Sequence, residues 1–352
     1  MNDVRPLEAW KFCDRILVAV SRSFALIIPR CPAPIDRCLC AGYLLCRLAD
    51  TIEDDEHLDS AQRGTLYDRL LACVSAPHDP VPCERFVAAW PHMPEGGYGE
   101  LVRGTSFVME ALTSLSPAHR EPLADCVHEM VAGMRGMHAV ASQHGIAFFC
   151  RDLPDLDRYC HHVAGTVGVM STRLFEQHLS TRAAADPGIF TPTDAWRERG
   201  RRMGLGLQMT NIVKDACVDA GRGVSYIPLQ YVAWKDDVPQ VTPDGLAALT
   251  HHALGHLDEA IAYTTALPPA QTGIRTFLLG SILPAVATLE VAASAAQKAP
   301  KIDRQAMRSI LDFVDSAPSD EAIRVLYDRQ RRKSVEKLGS PPADTGTWNT
   351  AP

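Results

Sequence analysis

Asp50 and Asp54 lie near the end of the stretch Tyr43–Asp55, YLLCRLADTIEDD, where an apolar run turns acidic within one helical turn. On an α-helix, residues four apart sit one above the other on a single face. Two carboxylates so placed repel each other, at a cost of roughly a few tenths of a kcal/mol on a surface helix. A cation removes that cost. A hard divalent ion with oxygen ligands suits the pair best: Mg²⁺ first, with Mn²⁺ as an alternative. Mg²⁺ rarely sits in an all-protein cage, so its other ligands would be waters and phosphate oxygens. For Glu53, Asp55 and Glu56 an ordinary solvated acidic helix end is the favoured reading. Taken alone, Asp50 and Asp54 fit both readings equally.

A second stretch repeats the spacing. Gln208–Pro228 reads QMTNIVKDACVDAGRGVSYIP, and it places Asp215 and Asp219 four apart. Gln208, Asn211, Asp215 and Asp219 follow at steps of three and four, which makes one polar stripe on a helix. Met209, Ile212 and Val213 supply the packed sides. Such a stripe on an otherwise apolar helix argues for an inward-facing site. Two facing helices that each carry D-x-x-x-D would clamp Mg²⁺ ions able to hold a diphosphate. Lys214, Arg47 and Arg22 are the cations available to the leaving group.

Four blocks in order, SRSF at 21–24, YLLCRLADTIEDD at 43–55, YCHHVAGTVG at 159–168 and QMTNIVKD-x-x-x-D at 208–219, share one pattern. Together they resemble the squalene and phytoene synthase family of head-to-head prenyl transferases, from about Ser21 to about Arg304. The wording is closest to the squalene synthase branch. The resemblance implies an all-α, single-domain isoprenoid-synthase bundle around a central cavity, spanning 1–339. It implies two farnesyl diphosphates, Mg²⁺ and NADPH. The first half-reaction would give presqualene diphosphate, and a reductive second half would give squalene. Asp50, Asp54, Asp215 and Asp219 would ligate the metal, helped by Asn211 and Glu53.

Ser21, Arg22, Tyr43 and Arg47 match family positions that line the diphosphate or the nicotinamide cofactor, with Gln208 of the stripe and the cation Lys214 as further candidate contacts. For Arg22 and Arg47 the bland alternative is a surface ion pair. Phe24 and Phe277 match cavity-lining aromatics. Lys301 resembles a cofactor-phosphate lysine, but Asp303 stands where a basic residue is expected, with Arg304 one place later. His162 stands where eukaryotic relatives carry a tyrosine linked to proton removal. A neutral imidazole can act as a base; a structural histidine is the alternative, and Tyr159 one turn earlier could take the role. The family commonly has Arg five residues after Asp219. Here that place is Val224; either Arg222 reaches the same phosphate or the contact is missing. Presqualene diphosphate, dehydrosqualene or phytoene synthesis without reduction are alternative activities. A non-catalytic assembly or lipid-binding factor would be expected to have lost its Asp or Arg positions, and both D-x-x-x-D pairs are intact.

The rest of the chain is consistent with a large helical core. The 352 residues are 46% hydrophobic and 22% charged, with a net charge of −7 and no Lys/Arg tract, which makes nucleic acid an unsuited partner. Eleven cysteines show no C-x-x-C pair; they read as reduced thiols of a cytoplasmic protein. No signal peptide is expected at the start, and no transmembrane anchor, though a peripheral membrane contact would serve product release. The most apolar stretch, Phe277–Ala296, contains Pro284 and Glu290 and reads as a kinked core helix. Periodicity predicts helices over 7–19, 35–56, 60–76, 97–114, 117–144, 155–180, 192–219, 243–266, 271–297 and 303–336. A disordered tail is expected over 340–352.

Overall fold

The computed structural model describes residues 4–21, 23–183, 190–235, 238–293 and 301–338. Arg22, the tail at 340–352 and the last residues of the helix expected over 271–297 lie outside them. The chain divides into two compact units. One comprises residues 1–136, 166–201 and 270–277; the other comprises 137–165, 202–269 and 278–352.

The first unit opens with α1 (Val4–Val20), α2 (Phe24–Ile27) and α3 (Ile35–Glu53). In α1, Ala9, Cys13, Ile16, Leu17 and Val20 are buried at helical spacing, so one stripe faces inward. Helix α3 is different. It is buried nearly all round, from Ile35 through Leu44, Leu45 and Leu48 to Ile52, and leaves only a narrow polar edge. α4 (Ser60–Ser75) starts on a reciprocal cap in which Asp59 accepts from the Gln62 N–H and the Gln62 side chain accepts from the Asp59 N–H. Next comes α5 (Pro80–Ala88), between the helices expected over 60–76 and 97–114. Proline costs nothing in a first turn, and Asp79 caps it. The helix expected over 97–114 is two, α6 (Gly96–Arg103) and α7 (Thr105–Ser114), parted at Gly104, where any Cβ would collide with the Phe12 ring. Helix α8 (Pro117–Gly136) and the later helix over Thr166–Ala183 complete its main layers.

The second unit begins where α8 stops, short of the expected 144. There β1 (Ala141–Gln143) and β2 (Ile146–Phe148) form a hairpin. Its turn, His144–Gly145, has positive φ at both residues, the geometry a two-residue hairpin requires. α9 (Leu153–Cys160) is capped by Asp152 and passes into a π-helical turn, His161–Gly165. α10 (Thr166–Ala183) then follows within the first unit. The division between units falls within α11 (Asp194–Gly221), which ends at a tight turn through Gly223, φ +77°. β3 (Val224–Ser225) pairs in parallel with β2, while β4 (Val232–Lys235) and β5 (Val238–Val241) pair with each other. α12 (Pro243–Thr265) is capped by Thr242, and α13 (Thr272–Ala292) carries Pro284. The helix expected over 303–336 is divided by residues 316–319 into α14 (Arg304–Asp315) and α15 (Asp320–Leu338).

The expectation of an all-α architecture holds, since every strand among the described residues is four residues or fewer. α13 is the one described helix long and apolar enough to cross a membrane, and 72% of its most apolar window is buried inside the protein. All eleven cysteines are free thiols and ten are buried.

Candidate active site

In the first unit the polar edge of α3 gathers Tyr43, Arg47, Asp50, Glu53 and Asp54. Asp54 is the C-cap, its N–H bonded to the Asp50 carbonyl, so three carboxylates crowd the negative end of the helix dipole. No Lys or Arg lies in that last turn. Each acid there is unfavourable by about 0.3–1 kcal/mol unless a cation compensates it. Asp50 keeps 26% of its side-chain surface yet lies deep among protein atoms. Burial pushes its carboxyl up, Arg47 draws part of that back, and Asp54 pushes it further, to about 6. This is the electrostatic situation a divalent cation relieves.

Arg47 stands 3.3 Å from Asp50 and donates from Nη2 to the Tyr43 hydroxyl at 3.1 Å. Its Nε is buried and donates to nothing among the described residues. A buried N–H of a guanidinium without an acceptor is costly, and an anionic oxygen would satisfy it. Tyr43 in turn donates to the Val20 carbonyl at 3.2 Å. From Tyr43 a chain of ring contacts follows: Phe24 at 5.4 Å between centroids, Phe277 at 6.2 Å from Phe24, and Phe175 at 6.1 Å from Phe277. Thus Phe24 and Phe277, assigned to a cavity wall, do lie side by side. Phe175 extends that line, though nothing in the sequence singled it out. The Ser21 hydroxyl accepts from the Phe24 and Ala25 N–H groups, so it also fixes the start of α2.

In the second unit the predicted stripe of α11 forms. Met209, Ile212 and Val213 are buried, while Gln208, Asp215 and Asp219 are half-buried and Asn211 is exposed. The Lys214 ammonium reaches both the Asp215 carboxylate, at 2.9 Å, and the Asn211 side-chain oxygen, at 3.3 Å. Arg222 lies 3.8 Å from Asp219. α11 likewise ends without a base in its last turn. Val224 is committed to the β2–β3 pairing, so that position offers strand backbone and an apolar side chain in place of the expected arginine.

His162 is half-buried within the π turn, its ring 5.5 Å from that of His161. Tyr159 is 4% exposed, its ring stacked 4.3 Å from Tyr226, which stacks on Phe149. Lys301 and Arg304 are exposed, and between them Asp303 caps α14 by accepting from the Ala306 N–H. The carboxylate therefore takes the helix N-terminus that a phosphate would favour. Sequence reasoning missed one cluster: Asp157, His252 and His256, whose ligand-type atoms all lie within 4.8 Å of one another. The four-residue spacing of the two histidines was its visible sign.

The chain matches the profile of the squalene/phytoene synthase family over residues 17–310. It is 27% identical to squalene synthase 1 of Arabidopsis thaliana over 287 residues, 76% of this chain and 61% of that protein. It is 28% identical to the squalene synthase of Rattus norvegicus over 278 residues, 73% of this chain and 58% of that one. The chain thus spans about six tenths of the length of these curated relatives. Among solved structures it resembles a ligand complex of TcSQS, with a TM-score of 0.75 and 23% identity over 96% of this chain and 94% of the other. A dehydrosqualene synthase in complex with a ligand gives a TM-score of 0.58 and 17% identity, over 88% and 96%. At these identities the structures show a shared helical fold.

Proposed function

This chain belongs to the squalene/phytoene synthase family, and we propose that it acts as a squalene synthase, joining two farnesyl diphosphates head to head into presqualene diphosphate and reducing that product to squalene with NADPH. The observation that carries the reading lies within one unit. A charged head made by Arg47 and Asp50 adjoins the ring line Tyr43, Phe24, Phe277 and Phe175. An allylic diphosphate has this division: a polyanion at one end and an apolar chain at the other.

Asp50, Asp54, Asp215 and Asp219 are the carboxylates we assign to Mg²⁺, with Glu53 and Asn211 as further candidate ligands. When bound, the metal would supply Lewis-acid stabilisation of the charge on the departing diphosphate. Arg47 offers its Nε–H to a phosphate oxygen, and Arg22, Lys214 and Arg222 add positive charge. Ser21 and Gln208 add polar contacts, and Tyr43 orients Arg47. The aromatic line excludes water from the carbocation and faces it with π electrons, an attraction that strengthens on desolvation. Attack on the second farnesyl double bond leaves a cation. Its C–H electron pair then closes the cyclopropane ring as a ring nitrogen of His162 accepts the proton. Tyr159, locked in its stack, serves better as a wall than as a base.

NADPH would supply the hydride of the reductive half, with Lys301, Arg304, Arg47 and Lys214 as its candidate contacts. A second reading ends at presqualene diphosphate or dehydrosqualene, and the Asp303 cap favours it, since that carboxylate opposes a cofactor phosphate beside Lys301. Buried free thiols support a cytoplasmic setting, with a peripheral membrane contact for the apolar product. Incubating the purified protein with farnesyl diphosphate and Mg²⁺, with and without NADPH, and identifying the products tests all of this. Squalene with NADPH, and presqualene diphosphate or dehydrosqualene without it, is the expected outcome. Products indifferent to NADPH select the second reading, and no condensation at all refutes both.

A further inference from the structure

We propose that Asp157 is a positioning residue for the condensation: clamped by His252 and His256, it holds the π turn that carries His162 at the head of the α11 polar stripe. The inference rests on the function proposed above.

One carboxylate oxygen, Asp157 Oδ1, lies 2.7 Å from His252 Nε2 and 3.1 Å from His256 Nε2. The histidines are one turn apart on α12 and their side chains are 8% and 3% exposed. His256 Nδ1 faces the Nε of Arg202 at 3.4 Å, and Arg202 is paired with Glu259 at 3.2 Å. A guanidinium can only donate. His256 Nδ1 is therefore the acceptor, and its Nε2–H points at Asp157. Donation runs in one direction, from Arg202 through His256 to Asp157, and His252 adds a second donor. Burial pushes the Asp157 carboxyl up, but the two imidazole hydrogen bonds outweigh it and hold the group well below the usual carboxylate range. The clamp joins α9, α11 and α12.

A second contact closes the same frame. A Cβ at Gly204 would lie 2.2 Å from the Ala164 carbonyl oxygen, so only glycine lets the backbone of the π turn rest on α11. Gly204, Gln208, Asn211 and Asp215 follow at steps of four, three and four, on one face of that helix. At 1.5 Å per residue, Gln208 is about 6 Å further along. The π turn thus abuts the start of the polar stripe. A π turn is a local departure from regular helix, frequently found at functional sites. Asp157, five residues before His162, is the side chain that ties the preceding helix down.

The same three side chains also have the composition of a metal site. The Arg202 contact argues otherwise, because a histidine that accepts at Nδ1 keeps its proton on Nε2 and has no lone pair there for a metal.

The test compares wild type with Asp157→Ala and with Asp157→Asn, which keeps an acceptor oxygen. Presqualene diphosphate formation is measured at saturating Mg²⁺ without NADPH, alongside hydrogen exchange of the amides of residues 158–165. Asp157→Ala is expected to lower kcat about 100-fold, the scale of a 1 Å misplacement, with KM for farnesyl diphosphate within about twofold. Its exchange at 161–165 should quicken about tenfold or more while α3 is unchanged, and Asp157→Asn should recover most of the rate. Unchanged kcat and exchange in Asp157→Ala would overturn the proposal. So would uniform loss of protection across the unit in both variants, which marks a general structural role. Stoichiometric Zn²⁺ uptake by wild type that is lost in His252→Ala would reassign the cluster to a metal. If wild type makes no presqualene diphosphate, the reading of function fails and the catalytic part falls with it, while the exchange result still decides whether Asp157 holds the turn.

Discussion

Arg47 and Asp50, one turn apart on α3, stand 3.3 Å from each other at the junction between three crowded carboxylates and a line of aromatic rings. Arg47 compensates only part of what burial and Asp54 impose on Asp50, whose carboxyl remains raised to about 6. A carboxylate left under-compensated beside a buried guanidinium N–H is suited to receive a metal and a phosphate together.

The pH dependence of stability should show it. Because the folded pKa of Asp50, about 6, exceeds the ordinary 3.8, ionisation disfavours the fold. That penalty is absent below about pH 4, grows between pH 4 and 6, and is complete above. In metal-free buffer the melting temperature of Asp50→Asn, relative to wild type, should therefore rise from pH 4 to pH 7. The corresponding change in relative folding free energy should be up to about 3 kcal/mol, and Mg²⁺ should stabilise wild type more than the variant. A difference that stays flat across this range would show that Asp50 is relaxed without metal.

Asp50→Asn and Asp219→Asn should each abolish turnover while leaving helical circular dichroism intact. Each keeps the side-chain shape and removes one metal-binding charge. EDTA should stop the wild-type reaction and Mg²⁺ should restore it. Full activity of both variants at saturating Mg²⁺ would remove these residues from the metal site.

His162→Phe should lose about 10²–10⁴-fold in presqualene diphosphate formation, the contribution of a positioned general base. His162→Tyr should keep a good part of the rate. Released diphosphate is itself a base, so a loss below about tenfold in the Phe variant would assign the proton to it instead.

Tyr159→Phe should leave the rate within a few-fold of wild type, because the ring stack with Tyr226 survives the change. Tyr159→Ala should destabilise by roughly 3–5 kcal/mol, as removal of a buried aromatic does. A Tyr159→Phe variant that binds farnesyl diphosphate normally but turns over 100-fold more slowly would return the base to Tyr159.

Local repetition made the sequence informative. Steps of three and four place Gln208, Asn211, Asp215 and Asp219 on one face wherever α11 happens to lie, and they equally make Met209, Ile212 and Val213 its packed side. The helical class and both acidic stretches needed only that periodicity. The fine boundaries did not follow from it. Gly104 parts two helices because Phe12, distant in sequence, occupies the space of a Cβ. The hairpin at 141–148 interrupts a helical pattern because its last strand finds a partner in Val224–Ser225. The Asp303 cap is local, three residues along the chain, whereas tertiary contact alone decided that Tyr159 is sealed in a stack and that Arg47 keeps a buried N–H without an acceptor among the described residues. The Asp157 clamp belongs to the same class. Its carboxylate and its two histidines are about 95 residues apart in the chain, and hydrogen bonds over such separations depend on how helices pack, which no local pattern encodes.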